Sequence, residues 1–339
     1  MFSMAASAAL GLGLLSVTGQ AVAAAPVPAD DGGKIIERVQ IDAQTVDITI
    51  DTPLIDSEDP KVRIIVPVGW SARAKRTWPV LTVLTGGPSD YLDWVNKTDL
   101  EVTSKAGRAI VVMPSGGRGQ GYTNWYNKGK FGNPKWETFH TKELSQLIER
   151  NFRGGTSRAV MGISSGGQGG VTYAARNPGF YKYVASYSGI VHTTKPGIPA
   201  MMMLTDFGDA ESTLKDPFDK WGNPLTDRMN WMDHDPYVLA DRLRGTGLYL
   251  SAGNGDQGPL DKGLLEQIGS AGTDGAQTYI LGSISERLVG MTNQDLVAKL
   301  KALGIPVTAS LYGPGFHQWG YWDREYKKAW PLIMKAIGA

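Results

Sequence analysis

Ala159-Val160-Met161-Gly162-Ile163-Ser164-Ser165-Gly166-Gly167 is the stretch that decides the fold. A short apolar run ends in Gly-x-Ser-x-Gly. The segment from Gly167 to Arg176, closed by Asn177-Pro178, reads as a helix. Strand, sharp turn and helix in that order lift a serine out of the end of a sheet. Glycines flank it because the turn is strained and neighbouring backbone crowds it. The motif therefore predicts Ser164 at the top of a sheet with its hydroxyl at a helix N-terminus. There the backbone N–H of Ser165 can stabilise a developing oxyanion.

Outward from this turn the pattern repeats. Val80 to Leu84 and Ala109 to Met113 are unbroken apolar runs stopped by Gly or Pro, which suits central strands covered on both faces of a parallel sheet. Gly247 to Ser251 and Val307 to Leu311 read as further strands. Thr138 to Phe152 and Thr292 to Leu303 place apolar residues at helical spacing. Near the N-terminus, Val39 to Ile50 alternates apolar and polar residues and Lys61 to Val68 follows, an antiparallel pair joined around Asp51-Thr52-Pro53. Alternating strands and helices predict an α/β-hydrolase fold: a central, mostly parallel sheet flanked by helices, with antiparallel strands at its N-terminal edge. No repeat or linker interrupts residues 38–339, which read as a single domain.

Composition narrows the function. The 339 residues include 43 Gly, with no three-residue period, beside 42% hydrophobic content, so neither a collagen-like fibre nor wholesale disorder fits. A net charge of +1 provides no electrostatic footprint for nucleic acid. The absence of cysteine excludes disulfides, thiol nucleophiles and a lipoprotein anchor. The apolar segment Met4 to Val17, followed by Ala21-Val22-Ala23-Ala24-Ala25, is shorter than a membrane span and ends in an A-x-A site. The expectation is an export signal over residues 1–24, a flexible lead-in over 25–37, and a secreted, envelope-associated protein without a membrane span.

Ser164 needs a base, and four histidines are available: His140, His192, His234 and His317. In α/β-hydrolases the order along the chain is Ser, acid, His, with the histidine on the loop after the last core strand. That selects His317, presented by Tyr312-Gly313-Pro314-Gly315-Phe316. His140 precedes the serine, and His192 could line the cleft. His234 sits in Met232-Asp233-His234-Asp235-Pro236, where Asp-x-Asp-Pro reads as a helix opening rather than a metal site. The acid is expected in the loop after Gly247 to Ser251, where Asp256 and Asp261 both qualify. Leu84-Thr85-Gly86-Gly87-Pro88 is the loop expected to supply a second oxyanion amide. The cluster from Gly116 to Gly121 fits neither phosphate-binding fingerprint and reads as a tight cleft-side loop. No metal or organic cofactor is required by this chemistry.

Several segments, in order, extend the comparison: Tyr122-Thr123-Asn124-Trp125-Tyr126, Lys135-Trp136-Glu137-Thr138-Phe139, Gly162-Ile163-Ser164, Tyr187-Ser188-Gly189, Trp221-Gly222, Gly253-Asn254-Gly255 and His317-Gln318-Trp319-Gly320-Tyr321-Trp322. From about Leu81 to Trp330 the chain resembles the antigen-85-type mycolyltransferases of mycobacterial and corynebacterial envelopes, a branch of the esterase-D-like α/β-hydrolases. The resemblance implies that Ser164 forms an acyl-enzyme with a mycolate from a trehalose ester, that His317 is the base, and that Gly87 and Ser165 supply the oxyanion amides. For such a substrate Met201-Met202-Met203-Leu204 offers an apolar wall for the acyl chain, and Trp319, Tyr321 and Trp322, beside the histidine, offer a sugar platform. Two departures stand out. The family's acid is a Glu four residues after Gly-Asn-Gly, and here that place is Pro259. Asp261, in Gly258-Pro259-Leu260-Asp261, is preferred to Asp256. Trehalose-using relatives carry Asp-Gly-Leu-Arg where this chain has Thr85-Gly86-Gly87-Pro88, which widens the acceptor to an envelope glycan or a protein serine. The rival expectations are a plain secreted carboxylesterase and a non-catalytic envelope-binding module.

Overall fold

The structure is a computed structural model that describes residues 25–87, 89–116, 121–207, 212–263, 266 and 272–339. The segment 1–24, on which the export-signal expectation rests, lies outside the described residues, as do 117–120 of the glycine-rich loop and Pro88. No helix among the described residues is long and apolar enough to cross a membrane.

Among the described residues nine strands form one sheet: β1 (Lys34–Gln40), β2 (Thr45–Asp51), β3 (Lys61–Ile65), β4 (Trp78–Leu84), β5 (Ile110–Pro114), β6 (Gly154–Ile163), β7 (Tyr183–Tyr187), β8 (Gly247–Gly253) and β9 (Thr308–Gly313), in the order β1-β2-β3-β5-β4-β6-β7-β8-β9. β1, β2 and β3 run antiparallel, and β3 meets β5 antiparallel. From β5 to β9 every neighbour is parallel. This is the α/β-hydrolase arrangement. The unbroken apolar runs are its central strands, covered on both faces. On one face Leu81, Val83, Met161, Ile163 and Tyr187 pack against Trp322, Tyr326, Ala329 and Ile333 of the C-terminal helix. On the other, Val160, Val184 and Leu250 meet Val171 and Ala175 of the helix after β6 and Leu296 and Leu300 of the helix before β9.

Five helices matter for the site: α1 (Leu144–Phe152), α2 (Ser164–Arg176), α3 (Ile198–Phe207), α4 (Gly272–Ala302) and α5 (Trp319–Ile337). α1 continues a helical run that begins at Trp136 and passes through a π turn, Phe139–Glu143. Two expectations are corrected. Val39 to Ile50 is not one strand, because Asp42 Oδ1 accepts from the N–H groups of Gln44 and Thr45 and folds a turn between β1 and β2. The lead-in is not loose either. Residues 34–37 already belong to β1, and Val27 exchanges two hydrogen bonds with the Asn151 side chain. Asp30 bonds Gln146 and Arg150 on α1, and Ala29 is buried in the core.

Candidate active site

Parallel strands deliver their loops to one end of the sheet, and the expected serine and histidine converge there. Ser164 follows β6 directly and takes φ +51°, the left-handed turn that the Gly-x-Ser-x-Gly pattern predicts. The flanking glycines are required by close approach. A Cβ on Gly162 would lie 2.5 Å from the backbone of Gly166, and one on Gly166 would lie 2.3 Å from the Thr85 carbonyl oxygen. The loop after β4 is thus pressed onto the serine turn. Tyr122 fixes it, its hydroxyl accepting from Thr85 N–H and donating to Thr85 C=O at 3.0 Å each. Gly86 faces the nucleophile: a Cβ there would sit 3.4 Å from Ser164 Cβ. The N-cap residue of α2 is Ile163, whose side chain makes no capping bond to the first-turn N–H groups.

His317, on the loop between β9 and α5, places Nε2 2.9 Å from Ser164 Oγ and Nδ1 2.7 Å from Glu286 Oε2. Glu286 is fully buried on α4. Its Oε1 accepts from Gly253 N–H at 2.6 Å, Ser188 Oγ at 2.8 Å and the Tyr312 hydroxyl at 3.2 Å. Burial pushes the Tyr312 phenol far up, so it remains a donor.

The expected acids are elsewhere, and the choice of Asp261 or Asp256 is corrected. Asp261 is buried, but its carboxylate accepts from Gly258 N–H at 2.6 Å, Gln318 Nε2 at 2.8 Å and the Tyr321 hydroxyl at 3.1 Å, so it ties the β8 loop to α5. Asp256 is exposed and paired with Arg287 and Asn254. Both sit on the loop after β8 with their carboxylates bonded elsewhere, whereas α4 packs across β8 and brings Glu286 to Gly253 N–H and His317 Nδ1. The missed signal is a lone carboxylate on the apolar stripe of α4: Glu286 shares its buried face with Val289, Leu296, Val297 and Leu300.

The aromatic platform is corrected as well. Tyr321 and Trp322 are buried, with Trp322 edge-on to His317 and Tyr321 stacked on Tyr312. Trp319 is partly buried against Trp94 and Trp322. These rings are the buried stripe of α5, not an open surface. His140 is also interior; burial pulls it down to about 4, and its ring bridges Tyr173 and Ser115 C=O. His192 bonds Asp295 and stacks on Tyr237, and His234 bonds Asn230 C=O. Among the described residues no cluster of three or more His, Asp or Glu converges as a cation site.

An apolar cluster stands beside the relay. Ile198 and Met202 of α3 pack with Trp221 and Trp231, and Met201, Met203, Ile190 and Leu288 join them. Leu288 is two residues from Glu286 and Ile190 two from Ser188.

A nucleophile at a left-handed strand–helix turn, a base on it and a buried carboxylate behind the base make a site for acyl transfer. Residues 56–330 match the Esterase family model. The chain belongs to the Esterase family. Among relatives of this esterase-family chain, a diacylglycerol acyltransferase/mycolyltransferase Ag85B of Mycolicibacterium smegmatis is 28% identical over 258 residues, 74% of each chain. An Ag85A of the same description from Mycobacterium leprae is 29% identical over 272 residues, 77% of this chain and 76% of its own. An esterase of Mycobacterium tuberculosis is 31% identical over 208 residues, 58% of this chain and 43% of its own. Among solved structures, Mycobacterium tuberculosis MPT51 superposes with a TM-score of 0.65 at 20% identity, covering 85% of this chain and 97% of its own. An S-formylglutathione hydrolase from Agrobacterium tumefaciens superposes with 0.64 at 16%, covering 89% and 99%. At those identities the superpositions speak for the fold. The sequence relatives, acyltransferases and esterases, mark the Esterase-family chain as an acyl-transferring serine hydrolase.

Proposed function

We propose that this protein is a secreted serine acyltransferase that moves a long-chain acyl group of the mycolyl class from a trehalose ester to an envelope hydroxyl, through an acyl-enzyme on Ser164. The observation that carries the reading is the unbroken relay from Ser164 Oγ to His317 Nε2 and from Nδ1 to Glu286. The relatives described as mycolyltransferases support the acyl class.

In the first step Ser164 Oγ attacks the ester carbonyl as its proton passes to His317 Nε2. Glu286 holds Nδ1–H and stabilises the imidazolium that forms. The carbonyl oxygen gains its charge against backbone amides, Ser165 at the start of α2 and Gly87 in the loop pinned by Tyr122. That loop lies on the serine turn because Gly166 has no side chain: a Cβ there would sit 2.3 Å from the Thr85 carbonyl oxygen. His317 then protonates the leaving sugar oxygen. In the second step an acceptor hydroxyl gives its proton to His317 and attacks the Ser164 ester, which restores the enzyme. Donor and acceptor are glycolipid and glycan or protein hydroxyls, and the acyl chain lies along Met201, Met203 and Leu288, the partly exposed members of the apolar cluster built on the buried Met202, Trp221 and Trp231. The segment 1–24 is the export signal of this reading, and residues 25–339 form the single mature domain.

The plain esterase is the second reading, supported by the esterase relative from Mycobacterium tuberculosis. Product partition separates the two. A long-chain acyl ester is incubated with and without trehalose or a serine-containing peptide, and the products are separated by mass. Acyl acceptor ester formed at the expense of free acid supports the transferase, and free acid alone under every condition refutes it.

A further inference from the structure

Ser188 stands just beyond β7 with φ +53°, a conformation glycine adopts freely and serine adopts under strain. Glycine follows at 189, so a glycine-compatible turn alone does not account for the serine; what Ser188 adds is a buried hydroxyl. Its Oγ lies 2.8 Å from Glu286 Oε1 and 3.0 Å from Trp322 Nε1. An indole N–H only donates. The Ser188 oxygen therefore accepts from Trp322, and its own hydrogen is directed at the carboxylate. Trp322 in turn lays its ring edge-on against His317, with centroids 5.0 Å apart at 83°. The contacts close into a ring: His317 to Glu286, Glu286 to Ser188, Ser188 to Trp322, and Trp322 back to His317.

The geometry points to Ser188 as the positioning residue of the relay, oriented by Trp322, which fixes the rotation of the Glu286 carboxylate so that Oε2 alone faces His317. This deepens the acyl-transfer reading and rests on it. The terminal torsion of a glutamate is soft, and a carboxylate held at one point turns about its axis. Glu286 Oε1 is held by the Gly253 amide at 2.6 Å and by Tyr312 at a longer 3.2 Å. The Ser188 hydroxyl at 2.8 Å is the short side-chain contact on that oxygen. Catalysis that depends on an imidazole aimed within a fraction of an ångström is sensitive to such an anchor.

The test is Ser188→Gly, which removes the hydroxyl at a position glycine accepts, together with Trp322→Phe, which keeps the ring and removes the N–H. The double variant completes the cycle. On a short-chain p-nitrophenyl ester, Ser188→Gly is expected to keep its KM and to lose about 10- to 100-fold in kcat, the weight of one hydrogen bond to a charged group, with a melting temperature within a few degrees of the wild type because relief of the left-handed strain at 188 offsets the unpaired Trp322 N–H. The acid limb of its kcat profile should move to higher pH, since a carboxylate short of a donor draws protons more strongly onto itself and onto the imidazole. Trp322→Phe should lose less in kcat, and the double variant no more than Ser188→Gly alone, because Trp322 acts through Ser188. A Ser188→Gly enzyme within twofold of the wild type, or kcat losses that multiply in the double variant, overturns the proposal. Failure of the acyl-transfer reading looks different: the wild type itself would not be labelled at Ser164 by a fluorophosphonate.

Discussion

Glu286→Gln and Asp261→Asn are nearly isosteric changes at two fully buried carboxylates, only one of which touches His317. When Ser164 attacks, His317 becomes an imidazolium with Glu286 Oε2 2.7 Å from Nδ1. For charge centres about 4 Å apart at an effective dielectric near 20, that pairing is worth about 4 kcal/mol, or roughly 10³ in rate. A glutamine there also sets its amide group in conflict either with Nδ1–H or with the three donors on Oε1, which favours the wrong tautomer. The combined loss in kcat should be about 10³- to 10⁴-fold, with the fold retained. The Asp261 carboxylate holds Gly258, Gln318 and Tyr321 and contacts no reacting group. Asparagine cannot accept from all three, so Asp261→Asn should cost about 1–3 kcal/mol of stability and a melting temperature lower by several degrees, while kcat stays within about tenfold. The assay is p-nitrophenyl ester turnover beside a thermal melt on the same preparations. If Asp261→Asn loses as much kcat as Glu286→Gln, the assignment of the acid is wrong.

Gly166→Ala should be destabilised by about 2–3 kcal/mol and lose activity, because its Cβ would meet the Thr85 carbonyl oxygen at 2.3 Å with only backbone to yield; a normal urea midpoint would contradict the close approach. Glu143, under the N-terminal segment, is pushed up to about 8, chiefly by burial and then by Asp31 and Asp51. An acid with a raised pKa keeps its proton in the folded state and loses it in the unfolded one between its ordinary value of 4.5 and about 8, so this group makes stability fall as pH rises through that window and level off above it. Glu143→Gln should therefore flatten that slope and stabilise the protein by about 1–2 kcal/mol at pH 8, measured by denaturant titration at pH 5 and pH 8; an unchanged slope would show that Glu143 is not the group responsible.

Much of this arrangement was legible locally. The central strands announce themselves as apolar runs stopped by breakers, since strands covered on both faces need no alternation, and the serine turn carries its own glycines. His317 follows from its place after the last strand. The acid was hidden because it comes not from the expected loop but from α4, a helix that returns from beyond the β8 loop, and sequence order cannot show which face a returning helix turns toward the site. Asp261 imitated an acid because it lies in the loop after β8 where the chain order expects one, yet its carboxylate is taken up by Gly258, Gln318 and Tyr321. The aromatic run after His317 invited a sugar platform. Helical spacing shows instead that Tyr321, Trp322, Glu325, Tyr326 and Ala329 form one buried stripe. The order of residues 25–33 rests on partners more than a hundred positions away in the chain, beyond the reach of local pattern.

The central claim is an acyl-enzyme on Ser164 that is handed to a hydroxyl. Intact-protein mass spectrometry after brief exposure to a long-chain acyl ester, followed by peptide mapping, tests it most directly. The account predicts a single added acyl group on the peptide that carries Ser164, absent from Ser164→Ala and discharged faster when trehalose or another polyol is present. An acyl group on any other residue, or none in the active wild-type enzyme, would contradict it.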